Sequence, residues 1–406
     1  MSKILIVNGK ILNVKNGELK DNGTILIDEG KITEINDEKK KPGDYETIDA
    51  EGKTIMPGLM DCHLHIGMDG QPNYEKLILE EPPELVAIKA VQYAKRDLMA
   101  GFTTIRDMGS SNYVSYAVKK AINDGLANGP QLLISGKVIT ATSGHSNFFP
   151  PWVKMDFSMG RVADGVDEIR KAVREQVQIG ADNIKFCATG GVMDPGSEPE
   201  FQEFSQEEIN TIMEEAKKFN KLTGSHAQGG EGIKAAVRAG VDTIDHGIYL
   251  DSESIELLKQ NGTFLVPTLS APHNIIENGV EKGIPEHAVE KAKRVKETHS
   301  KSFQKALDAG VNIALGTDTG TPFSRHGNNA LELELMVKYG MSELEALKAA
   351  TSEAARALKL DQSRGSIEEG KTADLLLVDG NPLKNIEILK NGKDIINIIK
   401  GGEIVK

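Results

Sequence analysis

AGVDTIDH, residues 239–246, shows how most of this chain is built: a small residue and a glycine, then a short apolar run that ends on ionisable side chains. The signature recurs as AGFTTIRD at 100–107, IGADNIKF at 179–186, NGTFLVPT at 261–268 and AGVNIALGTD at 309–318. Glycine just past a helix tolerates the left-handed backbone that reverses the chain, so each copy marks a helix-to-strand junction in a repeating β-α series. Helix starts agree, since Ser205 with Glu208, and Ser342 with Glu345, have the spacing of capping boxes.

Working outward, the segments GLMDCHLH, FTTIRD, QLLISGKVI, NIKFCATGG, TGSHAQ, TIDHG, FLVPTL and NIALGTD make a series of eight strands. Spread over roughly 260 residues, they predict an α/β fold of the (β/α)8, or TIM-barrel, size, with a doubly wound sheet as the alternative. The flanks read differently. KILIVNGKIL and GTILIDEGKITEI near the start, and GKTADLLLVDG and DIINIIKGGEIVK near the end, alternate apolar and polar residues between Gly and Asn turns, as half-exposed strands do. The expected organisation is a barrel over residues 57–361 and a small β-sandwich domain composed of residues 1–56 and 362–406.

Composition narrows the functional classes. With 406 residues, 39% hydrophobic and 27% charged, the chain can bury a sizeable core. It contains no apolar run near the roughly 18 residues that a membrane span needs. The opening MSKILIVNGK lacks the long apolar core and cleavage site of a secretory signal, which predicts a cytoplasmic protein. Cys62 and Cys187, the two cysteines, form no CxxC pair and read as reduced core thiols. A net charge of -12, with basic runs only as short as Lys39-Lys40-Lys41, argues against a nucleic-acid partner.

Polar or ionisable residues stand at the ends of the predicted strands: His63, His65, Asp107, Lys185, His226, His246 and Asp318. In a barrel those ends converge on one mouth. His63 and His65 are two apart, so a strand sends both imidazoles to one face. With His226 and His246 they offer four nitrogen ligands suited to zinc or a similar cation. Ordinary polar strand ends, or satisfied core histidines, are the plain alternatives. Asp318 closes an apolar strand and would supply an anionic ligand, or else cap the following helix. Lys185 in NIKF puts an ammonium on an apolar strand; it must snorkel, pair with a carboxylate or lose its proton.

These residues resemble the amidohydrolase superfamily, in its branch of imidazolonepropionase-like proteins and metal-dependent Xaa-Pro and Xaa-Arg dipeptidases. IMPGLMDCHLHIG resembles the family's first-strand motif, GADNIKFCATGG its fourth-strand lysine motif, and SHAQGGEGIKAAVRAGVDTIDHG its fifth and sixth strands. LGTDTG resembles the eighth strand and GSIEEGKTADLLLVDGNP the return to the β-domain. The resemblance implies two divalent cations, with His63, His65 and Asp318 at the more buried one, His226 and His246 at the other, and a carbamate on Lys185, derived from carbon dioxide, bridging both. A hydroxide held between cations about 3.5–4 Å apart would attack the amide, with Asp318 as base and then acid. His145, in ATSGHSN, resembles a histidine that binds the substrate carbonyl. His326 in SRHGNN is a further candidate of that kind, and Arg325 could meet a substrate carboxylate.

The expected activity is hydrolysis of a dipeptide or N-acyl amino acid, with a cyclic-amide hydrolase of the imidazolonepropionase type as the alternative and a non-catalytic metal-binding protein as a third class. Proline-releasing relatives carry Tyr where this chain has Gln228, so a proline preference is not implied. The substrate is expected to be a small molecule or dipeptide, and the protein a homo-oligomer.

Overall fold

The junction glycines Gly101, Gly180, Gly240, Gly262 and Gly310 all have positive φ, between 66° and 93°, and each turns the chain from a helix into an extended segment. In this computed structural model residues 3–36, 45–150, 152–153 and 158–406 are described, so the run Lys39-Lys40-Lys41 lies outside the described residues. Both expected capping boxes are present, at the helices Gln206–Lys218 and Glu343–Ala349.

The repeating β-α series gives a mixed α/β fold with parallel strands. One sheet has six strands, in the order Gly160–Val162, Val138–Thr140, Asn183–Cys187, Leu222–Ala227, Thr243–His246 and Phe264–Val266, every pair parallel. A second sheet joins Leu59–Leu64, Phe102–Asp107 and Gln131–Ile134. Single hydrogen bonds continue the series beyond these sheets: Asp182 N donates to Ile134 O, Leu265 N to Asn312 O, and Cys62 N to Leu315 O, each at 2.8 Å.

Two expected strands differ in detail. QLLISGKVI breaks into Gln131–Ile134 and Val138–Thr140, because Gly136 takes a φ of 74° and the buried Gln176 side chain accepts the Lys137 N–H in place of a neighbouring strand. The NIALGTD segment and the residue after it form no strand among the described residues and pair at isolated bridges, Leu265 with Ile313 and Leu64 with Thr319. Its ladder is interrupted where Asp318 adopts a φ of 55°.

The chain divides into two compact units: residues 1–61, 95–104 and 327–406 in one, and residues 62–94 and 105–326 in the other. In the first, strands from both chain ends share one eight-stranded sheet, in which Thr54–Pro57 pairs with Leu375–Val378 and with Ile4–Asn13. Ile4, Ile6, Ile25, Ile27, Leu375 and Leu377 belong to its apolar core. The first strand departs from its half-exposed pattern only at its start, where Ile4, Leu5 and Ile6 are all buried, while Lys10 and Asn13 further along are exposed. Among the described residues, no helix is long and apolar enough to cross a membrane.

Candidate active site

Strand register decides which side chains share a face. Lys185 lies opposite Gly224 and Cys187 opposite His226, while Gly224 lies opposite Thr243 and His226 opposite Asp245. Side chains alternate along a strand, so Lys185, His226, Thr243 and Asp245 point to one side. His246 is out of phase with that set; it leaves its strand with a φ of 75°, which turns the ring toward the others.

Six of the sequence-predicted residues come together in this way. The His63 and His65 rings are 5.4 Å apart, His63 and His246 5.2 Å, and His226 and His246 4.5 Å. Asp318 Oδ1 lies 3.4 Å from His63 Nε2 and 3.2 Å from His65 Nε2. Ligand atoms of His63, His246 and Asp318 all lie within 4.8 Å of one another. Lys185 forms an ion pair with the buried carboxylate of Asp245, which also stands 3.2 Å from His63 Nδ1. The amine therefore has the carboxylate partner that the plainer reading of NIKF foresaw.

Hydrogen bonds around the cluster fix the rings. His65 Nδ1 donates to Gly109 O at 2.9 Å and His226 Nε2 to Gly190 O at 3.0 Å, because a carbonyl can only accept. His246 Nδ1 meets Thr268 Oγ1 at 2.7 Å, and the buried His299 donates to His246 O at 3.0 Å. Thr268, like His246 and Asp318, has a positive φ, of 51°. A β-branched residue there is strained, and such strain concentrates at functional sites.

Charge is arranged to match. Burial, together with neighbouring cations, pushes the His226 and His246 imidazoles well below their ordinary values, so both present neutral nitrogens. Burial opposes ionisation of Asp318, but the His63 and His65 rings outweigh it and hold the carboxyl well below the usual range. Burial and Lys185 also oppose charge on His63, yet Asp245 and Asp318 keep its pKa raised.

A divalent cation fits this donor set. In the neutral form of His65 the ring proton is committed to Gly109 O, which leaves the Nε2 lone pair facing the Asp318 carboxylate. That lone pair and the carboxylate oxygen, beside the ligand atoms of His63 and His246, are donors that one cation can share.

A cavity of about 340 Å³ opens over the cluster. Met68, Tyr74, Phe148, Met193, Ile248 and Ile275 give it an apolar wall, and His145 and Gln228 line it as well. His145 stacks on His226 with ring centroids 4.1 Å apart. Two predicted contacts are elsewhere. Arg325 is exposed, and His326 is buried against Tyr93, its Nε2 2.8 Å from Met68 O; neither lines the cavity. Asp107 accepts the Ile66 N–H at 2.9 Å and so braces the segment after His65.

Sequence reading missed Asp245, although alternation in TIDH points it, rather than His246, to the Lys185 side. It also missed Arg106, a fully buried guanidinium that donates to Cys62 O and Thr243 Oγ1 and stands 3.7 Å from Asp245. Asp194 and Glu203, which hold His145, sit in irregular segments that offer no periodic signal.

Parallel strands that carry imidazole, amine and carboxylate groups on one face beneath a single cavity make this an α/β protein of the enzyme type. Comparison with known proteins agrees. The amidohydrolase family model matches residues 54–405. Ochratoxinase of Aspergillus niger is 34% identical over 427 aligned residues, covering 100% of this chain and 87% of the relative. The crystal structure of a Xaa-Pro dipeptidase with bound methionine in the active site superposes with a TM-score of 0.93 at 35% identity, covering all of both chains. Imidazolonepropionase of Thermoplasma volcanium is 24% identical, covering 95% of this chain and 91% of that protein.

The chain belongs to the amidohydrolase family. That family consists of hydrolases acting on C–N bonds and generally uses divalent metals.

Proposed function

We propose that this protein is a binuclear zinc-type amidohydrolase that cleaves the amide bond of an N-acyl amino acid or a dipeptide. The observation that carries the reading is the convergence of His63, His246 and Asp318, whose ligand atoms lie within 4.8 Å of one another in a cluster of imidazoles. The 34% identity to ochratoxinase and the likeness to a Xaa-Pro dipeptidase support amide substrates.

In this reading His63, His65, His226, His246, Asp318 and a carbamate on Lys185 hold two divalent cations, which when bound polarise the scissile carbonyl and lower the pKa of the attacking water. Asp318 takes the proton from that water and later delivers it to the leaving nitrogen, as base and then acid. His145, as an imidazolium whose Nδ1 donates to Asp194, donates from Nε2 to the carbonyl oxygen, and Gln228 contacts the bound substrate. Carboxylation joins the free Lys185 amine to carbon dioxide with loss of one proton; the ammonium partner of Asp245 disappears, and that carboxylate is left to His63 and Arg106. The apolar wall favours substrates with a large hydrophobic or aromatic group. Arg325 and His326 are left out of the substrate contacts because they stand away from the cavity.

The scaffold we infer is a closed eight-stranded barrel, supported by the bonds that carry the series from Ile134 to Asp182, from Asn312 to Leu265 and from Leu315 to Cys62. Residues 57–361 would form it, with residues 1–56 and 362–406 folding as a β-sandwich. Support for the sandwich comes from Gly402 packing against Gly30, which brings the two ends of the shared sheet together.

The test is a panel assay of protein prepared with zinc and bicarbonate, against N-acyl amino acids, dipeptides including Xaa-Pro, and a cyclic imidazolone. Cleavage of open-chain amides is expected. Ring opening of the imidazolone with every open-chain amide untouched would overturn the reading in favour of the cyclic-amide alternative.

A further inference from the structure

His145 lies outside any strand or helix, yet it is held from four sides. Its Nδ1 pairs with the Asp194 carboxylate, and its backbone N–H donates to Glu203, which also accepts from Thr140 Oγ1 at 3.0 Å. One ring face stacks on His226. Gly191 closes over the Nδ1 edge so tightly that a Cβ there would stand 2.4 Å from that nitrogen. A histidine serving only as loop surface needs none of this.

Asp194 is itself fixed from behind. The segment that carries it runs along the helix Glu286–Asp308, where His287, Lys291 and Arg294 fall on one face at helical spacing. His287 Nε2 meets Met193 O at 2.9 Å, the buried Lys291 donates to Asp194 O at 2.7 Å and also to Ser197 O, and Arg294 pairs with Glu198. Asp194 is 4% exposed, and its Oδ1 has no hydrogen-bond partner among the described residues. Burying a carboxylate with an idle oxygen costs free energy that folding alone does not explain. Its one partnered oxygen serves His145.

We propose that Asp194 is a positioning residue for the reaction: by accepting from His145 Nδ1 it fixes the plane of the ring and leaves Nε2 as the polar atom offered to the cavity, with Lys291 holding Asp194 in place. The kinetic part rests on the proposed role of His145 at the substrate carbonyl; the structural part does not. A carboxylate that orients a histidine in this way contributes roughly ten- to hundredfold where such partners have been removed.

The experiment compares Asp194→Ala, Asp194→Asn and Lys291→Met with the wild type, all prepared with zinc and bicarbonate. Asn keeps an oxygen that can accept from Nδ1; Ala does not. In Asp194→Ala kcat should fall about ten- to hundredfold with KM and metal content close to wild type. Asp194→Asn should recover most of the loss, and Lys291→Met should fall between them. Nitrogen-15 spectra of histidine-labelled protein, with the His145 signals assigned from His145→Gln, supply a readout independent of turnover. Nδ1 should be protonated in wild type and Asp194→Asn, in the neutral ring as in the imidazolium, and the neutral ring should lose that preference in Asp194→Ala. Identical His145 spectra in Asp194→Ala and wild type would overturn the proposal whatever the enzyme hydrolyses. A spectral change as expected, without cleavage of any open-chain amide, would sink the reading of function and leave the positioning role standing.

Discussion

His299 shows how a single buried residue couples the site to pH. Burial pushes its imidazole down to about 4, whereas in the unfolded chain it titrates near 6.5. Between those values the unfolded chain binds more protons than the native one, so stability must fall as pH drops from 6.5 toward 4, by up to about 3 kcal/mol for this residue. His226 and His246 shift in the same direction. Urea unfolding of metal-free wild type and His299→Gln at pH 7, 5.5 and 4.5 checks the sign: the wild type should lose its lead over the variant as the solution becomes more acidic, and a gap independent of pH would show that His299 is not buried neutral. At this scale the sequence exposed some members of the cluster and hid others. His63 and His65 were legible because a two-residue period needs no three-dimensional information. Asp245 was hidden by its neighbour: TIDH draws the eye to His246, whose inward turn depends on a φ of 75° that no pattern announces. Arg325 and His326 looked like site residues because they follow the eighth strand, but the chain carries them away from the cavity.

Elements were easier to read where one local device sets them. Small-residue–glycine junctions fixed the helix-to-strand turns because the left-handed conformation selects glycine almost alone. The capping boxes fixed two helix starts for the same local reason. Ser205 accepts from Glu208 N while the Glu208 side chain accepts from Ser205 N, so Ser205→Ala should destabilise the protein by about 1 kcal/mol. A fall in urea midpoint with unchanged slope would bear this out, and an unchanged midpoint would show that packing alone holds the first turn of Gln206–Lys218. What the sequence did not show is where a strand stops pairing. Gln176, on the helix Val166–Gln178, substitutes for a strand neighbour at Lys137, a contact 39 residues away that no local window contains. Loops were the least legible: Asp194 and Glu203 act through distances in space, with no period to mark them.

At the scale of the whole molecule, the centre gathers groups from strands far apart in sequence, from His63 to Asp318, so a ligand held there ties those strands together. Metal that binds only the folded state stabilises it by mass action. Removing it with a chelator should lower the melting temperature, and zinc with bicarbonate should restore it with close to two metals per chain. Lys185→Ala should lose the metal pair and the activity together; full metal content and turnover in that variant would remove the carbamate from the scheme. That both chain ends carry strands was legible, because both alternate apolar and polar residues. Their register, Thr54–Pro57 against Leu375–Val378, was not, since it depends on packing between segments more than 300 residues apart.

Thr268 carries a consequence for engineering. A threonine at φ 51° occupies a conformation comfortable only for glycine or asparagine, and relief of such strain is worth about 1–3 kcal/mol. Thr268→Gly releases that strain but leaves the buried His246 Nδ1 without its 2.7 Å partner, a cost of about 1–3 kcal/mol, so the melting temperature should move little while turnover drops. Strain at Thr268 and the bond it makes to His246 offset each other, so a screen that rewards heat resistance alone would be blind to the hydroxyl that steadies His246.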